Sequence, residues 1–404
     1  MTGYLSMTLA QDGIIPENRA DLLEKALAHA KPNTHIILAG GNYQGNFQIR
    51  TPLVLESQDI HKPAHLSANN KGSVLTIRSS NTKIRHLIFE DSGKDMFGKD
   101  SCLFVEASAD NVTISDNTFQ RCGFSIWVHS APNIKISHNV IIGPTQGLMS
   151  DRGNGIYLFY TNHSVVEDNL IRYGRDGIYI LASHGALIEH NVFDHTRFGI
   201  HYMYSDNCTV NDNVTTNSSV GAAIMYSKNL KIFKNTFDYN LNHGLLLRDI
   251  LYSHIFSNVS THNIDGLFLG SAYYNLINNN RFSNNQIGAV VTGASDDNRV
   301  TNNNFIDNDW QAKFLGVRSI IWSIKGRGNF WSTYRGWDAD KNGIGDQIYY
   351  VTNLANWLTF SYPILRIILE SPAMVLLQKI ETQFPVIRRS AIIDEYPLMK
   401  AANL

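Results

Sequence analysis

Apolar residues in this chain alternate with polar ones in short runs, and a motif of the form apolar-x-x-Asn-x-apolar recurs along most of its length. Successive copies lie 22 or 23 residues apart, apart from a single step of 30. Such self-similarity at a fixed period indicates a solenoid, whose stacked units bury a continuous core only together. The recurring asparagines are Asn117, Asn139, Asn169, Asn191, Asn213, Asn235, Asn258, Asn280 and Asn303.

The composition of each repeat indicates strands rather than helices. Runs such as GIYI, GIHYMY and GLFLG are rich in β-branched and aromatic residues and are separated by Asn, Asp, Ser and Gly. Three short strands per coil fit the period, with coils stacked at ~4.8 Å. The fold class is therefore all-β, a right-handed parallel β-helix. At one corner of each coil, the recurring asparagine is predicted to bond the backbone and its equivalents above and below.

Four regions follow along the chain. Residues 1–40 contain the sequence ENRADLLEKALAHA, predicted to be a helix that caps the open apolar end of the stack. Residues 41–315 form the β-helix, and the single 30-residue step predicts a loop around GPTQGLMSDRG. Residues 316–353 are rich in Trp and Gly, and residues 354–404 are apolar and helical in pattern.

The repeat also predicts which side chains face outward. A glycine opens the second strand of seven successive coils, from Gly155 to Gly288, and the residues two and four places after it should point away from the core. Those positions form an apolar stripe, and an exposed apolar stripe marks an interaction surface. With the preceding coil, the stripe contains Trp127, His129, Tyr157, Phe159, Tyr179, Leu181, Leu246 and Phe268.

Three further outward positions suit a metal. His201 and Met203 are two residues apart on one strand, and Met225 occupies the place of Met203 on the next coil. Thioether and imidazole form a soft ligand set suited to Cu(I). The alternative is an adaptable protein interface with a packed histidine. His138 and His190 share a corner position and are predicted to be solvated.

Parallel β-helices also form the scaffold of pectin lyases, polygalacturonases and alginate epimerases, so a carbohydrate-binding or polysaccharide-modifying protein is the alternative function. Hydrolysis or uronate chemistry needs carboxylates or a base gathered on one face. The aligned outward positions contain no Asp or Glu. A group near the insertion could supply acid–base chemistry, or simply cap turns: Asp151, Arg152, Arg175, Asp176 and His184.

Charge and cysteine content limit which partners, metal sites and disulfides the sequence predicts. The net charge is −1 and the sequence pI is about 6.9, so no global field recruits nucleic acid or an anionic membrane. The three cysteines lack a CxxC pair, which predicts neither a zinc cage nor a disulfide framework. Cys208 aligns with core positions and should be a small buried hydrophobe. The opening MTGYLSMTLAQDG shows no leader pattern, which by itself favours the cytoplasm.

The segment DADKNGIGD matches the start of a calcium loop. Position twelve is Tyr349 rather than a bidentate Glu, so the segment is not an EF-hand. A calcium or magnesium ion held by oxygen ligands and a metal-free Asx-turn are both open. The candidate ligands are Asp338, Asp340, Asn342, the Ile344 carbonyl and Asp346.

The block GNFWSTYRGWDADKNGIGDQIYY at 328–350, the segment SPAMVLLQKIETQFPVI and the terminal DEYPLM, together with the asparagine-rich β-helix, resemble the NosD family. Members of that family are periplasmic β-helix proteins needed to mature the copper centres of nitrous oxide reductase. The resemblance implies a non-enzymatic assembly factor in the periplasm, with its leader removed, that handles copper or sulfur. It implies as partners the permease and ATPase subunits of an ABC transporter, a copper-donating lipoprotein and the apo-reductase, with the membrane reached only through the transporter.

The tail fits such a partnership. Its apolar run is too short, and too interrupted by Arg366, Glu370 and Lys379, to cross a bilayer. Ser371 is a candidate N-cap with Pro372 at the first helical position. An amphipathic helix that docks on the transporter is one interpretation, and an end cap formed by Trp331, Trp337 and part of the tail is the other. The docking residues would be Ile364, Ile367, Ile368, Met374, Leu377, Ile380 and Phe384.

Overall fold

The computed structural model describes residues 12–95, 97–293, 295–316, 318–351, 364, 367, 371–374, 376 and 391–403. The chain divides into two compact units, Met1–Val214 and Thr215–Leu404. Both are built from short parallel strands, and the right-handed parallel β-helix predicted from the repeat is confirmed.

The first unit begins with helix α1 (Ala20–His29) between its first two strands, and a short 3₁₀ turn at Met149–Asp151 lies in the predicted insertion. Its strands in chain order are β1 (Asp12–Ile15), β2 (Thr34–Leu38), β3 (Asn42–Gln44), β4 (Phe47–Ile49), β5 (Leu53–Ser57), β6 (His65–Ser67), β7 (Leu75–Ile77), β8 (Lys83–Arg85), β9 (Ile88–Glu90), β10 (Ser101–Val105), β11 (Thr113–Ser115), β12 (Thr118–Gln120), β13 (Phe124–His129), β14 (Lys135–Ser137), β15 (Val140–Ile142), β16 (Ile156–Phe159), β17 (Val165–Glu167), β18 (Leu170–Arg172), β19 (Asp176–Leu181), β20 (Leu187–Glu189), β21 (Val192–Asp194), β22 (Phe198–Met203), β23 (Thr209–Asn211) and, at the boundary, β24 (Val214–Thr216).

Three strands make one coil of this unit, and strands at the same place in successive coils pair in parallel. On one face, β16 pairs with β19 so that Tyr157 lies opposite Tyr179. The residues on either side of each tyrosine point inward, and Ile178 and Ile180 are fully buried. The inward positions predicted from the glycine period are therefore confirmed for these coils.

Helix α1 covers the start of the stack. Leu23 and Leu27 lie on one side of the helix and are buried, and the helix contacts β3 and β4. The first coil would otherwise leave an apolar end open to water. The predicted capping helix is therefore confirmed.

The recurring asparagine forms a buried ladder. Asn169 donates from its backbone N–H and from Nδ2 to Oδ1 of Asn191, each at 3.0 Å. Nδ2 of Asn169 also lies 3.0 Å from the carbonyl oxygen of Ile136 on the preceding coil and 2.8 Å from that of Glu167 on its own coil. The residue before each asparagine turns the corner with a positive φ, including His138 at 56° and His190 at 54°, and both histidines are exposed as predicted.

A disulfide joins two coils of the first unit. Cys102 and Cys122 are bonded with their Cα atoms 5.5 Å apart, so the prediction that the cysteines form no disulfide is wrong. Their separation of 20 residues is close to one coil, which places them side by side in neighbouring coils. Cys208 is free and buried as predicted, and burial raises the pKa of its thiol to about 11.

The second unit is built from the same kind of coil. Its strands are β25 (Val220–Lys228), β26 (Lys231–Phe233), β27 (Thr236–Asp238), β28 (His243–Leu251), β29 (His254–Phe256), β30 (Val259–Thr261), β31 (Asp265–Gly270), β32 (Leu276–Asn278), β33 (Arg281–Ser283), β34 (Ile287–Thr292), β35 (Arg299–Thr301), β36 (Asn304–Ile306), β37 (Trp310–Leu315), β38 (Ile320–Ile321), β39 (Phe330–Trp331), β40 (Tyr349–Tyr350) and β41 (Ile392–Asp394).

The end of the second unit is closed by aromatic residues and by the terminal segment. Trp331 stacks on Phe305 with ring centroids 4.3 Å apart, and its Nε1 donates to the buried Asp394 at 2.8 Å. Strand β41 lies between β38 and β40, so residues 391–403 pack on the last coil. The predicted helical tail at 354–404 is therefore wrong for 391–403, and the end-cap interpretation holds for Trp331 and that segment. Trp337 is exposed instead.

Candidate functional site

A column of rings runs along the outward face of β13, β16, β19 and β22. Trp127 and Tyr157 have ring centroids 4.8 Å apart, Tyr157 and Tyr179 lie 4.8 Å apart, and Tyr179 and His201 lie 4.4 Å apart. The last two pairs are stacked almost in parallel, because the parallel register places equivalent residues directly above one another. We call these four residues the ring column.

The ring column is less exposed than the sequence predicts. Trp127 is only 7% exposed and His201 only 6%, while Tyr157 and Tyr179 are half-buried. The expectation of an exposed apolar stripe is therefore wrong for Trp127 and His201. The physical reason is that outward side chains at the coil spacing shield one another.

The other stripe residues are half-buried. In the first unit, His129 stacks on Phe159 with centroids 5.3 Å apart, and Leu181 lies opposite Met203. In the second unit, Leu246 and Phe268 lie opposite each other on β28 and β31. Met225 is half-buried and belongs to the second unit, where it lies opposite Arg248 on the adjacent coil. A place for Met225 beside Met203 stays a prediction.

A buried carboxylate lies behind His201. Asp176 is 1% exposed, and its Oδ2 lies 3.0 Å from Nδ1 of His201. The guanidinium of Arg197 donates to both oxygens of Asp176, at 2.8 and 2.7 Å. The expectation that this face carries no carboxylate is therefore wrong, and Arg197 is a member of the site that no sequence pattern predicted.

The charge of Asp176 is stabilised by these partners. Burial alone raises the pKa of its carboxyl, but the hydrogen bonds from His201 and Arg197 and the positive charge of Arg197 outweigh burial and hold the pKa below its usual value. A carboxylate kept ionised in this way accepts hydrogen bonds and donates none.

The thioether of Met203 completes the group. Met203 and His201 lie two residues apart on the same face of β22, and the hydroxyl of Tyr179 donates to Sδ of Met203 at 3.5 Å. Phe198 packs its ring against the imidazole edge-on, with centroids 4.9 Å apart. Nε2 of His201 is buried and has no hydrogen-bond partner. The group therefore holds one imidazole nitrogen without a hydrogen-bond partner on the same face as a soft sulfur.

Three other residues of the predicted acid–base group have contacts elsewhere, among them His184, whose Nε2 lies 3.3 Å from Nδ2 of Asn207. Nε of the fourth, Arg175, is buried without a hydrogen-bond partner. Arg152 donates to the carbonyls of Thr145, Gly147 and Tyr173 and so holds the insertion loop. Asp151 accepts from the neighbouring Ser150. Within 12–95, 97–293, 295–316 and the other described residues, no three His, Cys, Asp or Glu side chains come together as a metal site.

The DADKNGIGD loop bonds to itself and to the terminal segment. Asp338 accepts from the backbone N–H of Asn342 and Gly343, and Asp346 accepts from that of Ala339. Gly343 has a φ of 86°, as a sharp turn requires. These bonds match the Asx-turn interpretation, and a bound calcium or magnesium ion stays a prediction.

The predicted docking residues of the tail are described only in part. Ile364 and Ile367 are 73% and 81% exposed, whereas Met374 is buried, so the expectation that Met374 is free to dock is wrong. Ser371 Oγ accepts the backbone N–H of Met374 at 3.3 Å, as its predicted N-cap role requires. Ile368, Leu377, Ile380 and Phe384 lie outside the described residues. None of the described helices is both long and apolar enough to cross a bilayer.

Fold and site together define a parallel β-helix protein whose outer face carries stacked rings beside a buried carboxylate–imidazole pair. A family model described as "Periplasmic copper-binding protein (NosD)" matches residues 138–336, and one described as "Right handed beta helix region" matches residues 34–171. The chain belongs to the NosD family, because it is 39% identical over 378 residues to the "Probable ABC transporter binding protein NosD" of Stutzerimonas stutzeri. That match covers 90% of this chain and 86% of the relative.

Other comparisons agree. The protein of the same name from Pseudomonas aeruginosa is 40% identical over 377 residues, covering 90% of this chain and 87% of that relative. Among solved structures, the A-module of the Azotobacter vinelandii mannuronan C-5 epimerase AlgE6 has a TM-score of 0.58 at 12% identity, over 76% of this chain and 93% of that module. At that identity the likeness shows the fold alone, whereas both NosD relatives are named as binding proteins.

Proposed function

We propose that the protein is a periplasmic assembly factor that takes part in copper or sulfur delivery for maturation of the copper centres of nitrous oxide reductase. The observation that carries the proposal is the unpartnered, buried Nε2 of His201 on the same strand face as the Met203 thioether. Membership of a family described as periplasmic and copper-binding supports it.

The ligand types favour copper as Cu(I) cargo. Imidazole and thioether are soft ligands, and Cu(I) accepts two or three of them. The described residues offer no closed cage of thiolates and imidazoles of the kind that holds structural zinc. A site with few ligands suits an ion that must be passed on. Met225 is proposed as the third ligand on the sequence period alone.

The partners proposed are the permease and ATPase subunits of an ABC transporter, a copper-donating lipoprotein and the apo-reductase. The names of the relatives support the transporter. The exposed Ile364 and Ile367 support docking through the tail. The disulfide between Cys102 and Cys122 supports the periplasm, because disulfides form and persist in oxidising compartments.

The test is a competition titration of Cu(I) against a chromogenic chelator under argon. His201→Ala, and Met203→Ala combined with Met225→Ala, should each weaken binding by at least about tenfold, the loss expected for one ligand of a few. His190→Ala is the matched control, because that histidine is exposed at a corner. Stoichiometric binding that neither change weakens would exclude this site.

A polysaccharide-active protein is the second candidate, and the Asp176–His201 pair beside stacked tyrosines favours it. Aromatic rings can pack on sugar rings, and a carboxylate–imidazole pair could move a proton. The assay is turnover of uronate polymers by the wild type and by Asp176→Asn. If the wild type turned over a uronate polymer and Asp176→Asn did not, the protein would be an enzyme and the assembly-factor proposal would be wrong. If the wild type showed no turnover, the polysaccharide-active candidate would be wrong.

A further inference from the structure

The carboxylate of Asp176 is held from two sides and cannot turn away from His201. Arg197 grips both of its oxygens, at 2.8 and 2.7 Å, and its Oδ2 lies 3.0 Å from Nδ1 of the imidazole. Bidentate guanidinium–carboxylate pairs are among the geometrically most specific hydrogen-bonded pairs in proteins. Arg197 is itself packed on the ring of Phe198, 4.4 Å from its centroid.

This arrangement decides which imidazole nitrogen carries the proton. A carboxylate can only accept, so Nδ1 of His201 must donate, and the lone pair of the neutral ring is then on Nε2. The ring is fixed as well, since Tyr179 stacks on one face with 15° between the planes and Phe198 meets it edge-on.

The free nitrogen is left without a partner. Nε2 is buried and unbonded, although a buried polar atom without a partner costs free energy. The positive charge of Arg197 is balanced by the carboxylate of Asp176, so this pair adds no net charge beside the imidazole. The chain thus maintains an unsatisfied acceptor that a ligand would satisfy.

We propose that Asp176, clamped by Arg197, is the positioning residue of this site, and that it presents Nε2 of His201 as a fixed lone pair to a soft monovalent cation. The inference rests on the proposed copper function for the identity of the ligand. Metal-binding histidines usually donate their other ring N–H to a carboxylate, which orients the ring.

The first measurement reads the tautomer in the metal-free wild-type protein. Two-bond ¹H–¹⁵N correlation spectra of the full chain, labelled at histidine nitrogen and assigned with His201→Gln, report the tautomer of His201. The expected result is a proton on Nδ1. A proton on Nε2 in the wild type would overturn the positioning role, whatever the copper affinity.

The second measurement is Cu(I) affinity by chelator competition. Asp176→Asn should shift the tautomer, since the new amide can donate to Nδ1, and should weaken Cu(I) binding about 10- to 100-fold. Asp194→Asn is the matched control, because Asp194 lies 2.8 Å from Nδ1 of the exposed His195 in the same pair of coils. It should change neither the His201 tautomer nor the affinity.

The outcomes separate the two proposals. Unchanged Cu(I) affinity in folded Asp176→Asn would overturn the positioning role. Unchanged affinity in His201→Ala, with the expected tautomer in the wild type, would instead overturn the copper site and leave the effect of Asp176 on the ring intact.

Discussion

The asparagine ladder makes a quantitative prediction at Asn191, which is fully buried. Its side chain takes part in five hydrogen bonds: Nδ2 lies within 3.0 Å of three acceptors, and Oδ1 accepts two donors of Asn169. Asn191→Ala removes all five and leaves the backbone N–H of Asn169 buried without an acceptor.

The expected cost follows from those bonds. Each contributes on the order of 1 kcal/mol net, and a donor left buried and unbonded adds about 1–3 kcal/mol. Relaxation and water entry recover part of this sum. We therefore expect a loss of about 4 kcal/mol in the free energy of unfolding, a large value for a single substitution. Because neighbouring coils stabilise each other, the effect should spread to the coils above and below.

The assay is urea unfolding followed by circular dichroism, with hydrogen exchange of the backbone amides of β18 and β21 as the local readout. Asn162→Ala is the matched control, since Asn162 is exposed in the same unit. It should change stability by less than about 0.5 kcal/mol. The ladder would be refuted as a source of stability if Asn191→Ala lowered the free energy of unfolding no more than this control does. Undiminished exchange protection of the Asn169 amide in Asn191→Ala would refute it as well.

Two further predictions concern the ends of the stack and its covalent link. Replacing Cys102 and Cys122 together by Ala should lower the free energy of unfolding by about 3 kcal/mol, the entropic value for a loop of this length. A reductant should lower the unfolding midpoint of the wild type but not that of this variant. Equal stability of the variant and the wild type would contradict the prediction. Burial raises the pKa of Asp394 from its ordinary value of 3.8 to about 6. The folded state then binds the extra proton between those pH values, so stability should rise by up to about 3 kcal/mol as pH falls from 7 to 4, relative to Asp394→Asn. Parallel pH profiles of the two proteins would contradict this.

The sequence predicts those features of the fold that recur in every coil. One repeat predicted the coil, the corner asparagine and the inward positions of Ile178 and Ile180, because core packing and buried amide bonds recur identically in every coil. It also predicted the outward placement of Tyr179, His201 and Met203. What it could not predict was how far equivalent rings would bury one another, since burial depends on side-chain stacking between coils.

The predictions for the cysteines and for the tail were wrong for different reasons. Cys102 and Cys122 are separated by 20 residues rather than 22, so they do not share a repeat position and only the three-dimensional stack brings them together. Residues Ile392–Asp394 form a strand because β38 and β40 offer edges to pair with. Local apolar periodicity does not report such long-range partners.

The sequence named Asp176 as a candidate for acid–base chemistry but did not place it on the outward face, because strand alternation breaks at the glycine that served as the reference for every coil. Strict alternation, counted back from the inward-facing Ile178, predicts that Gly177 faces outward and that Asp176 faces inward. In the structure a Cβ at Gly177 would lie 2.4 Å from Cδ1 of Phe193, so this position also faces the core and only glycine fits. Two consecutive inward positions turn the preceding residue outward, where Asp176 meets His201 and Arg197 of the next coil. The second unit repeats this at Gly244 and Gly266, since the residues before them, His243 and Asp265, approach to 2.8 Å. The glycine column therefore does more than mark the period: it places the residue before each glycine on the outer face, beneath the imidazole in the case of Asp176.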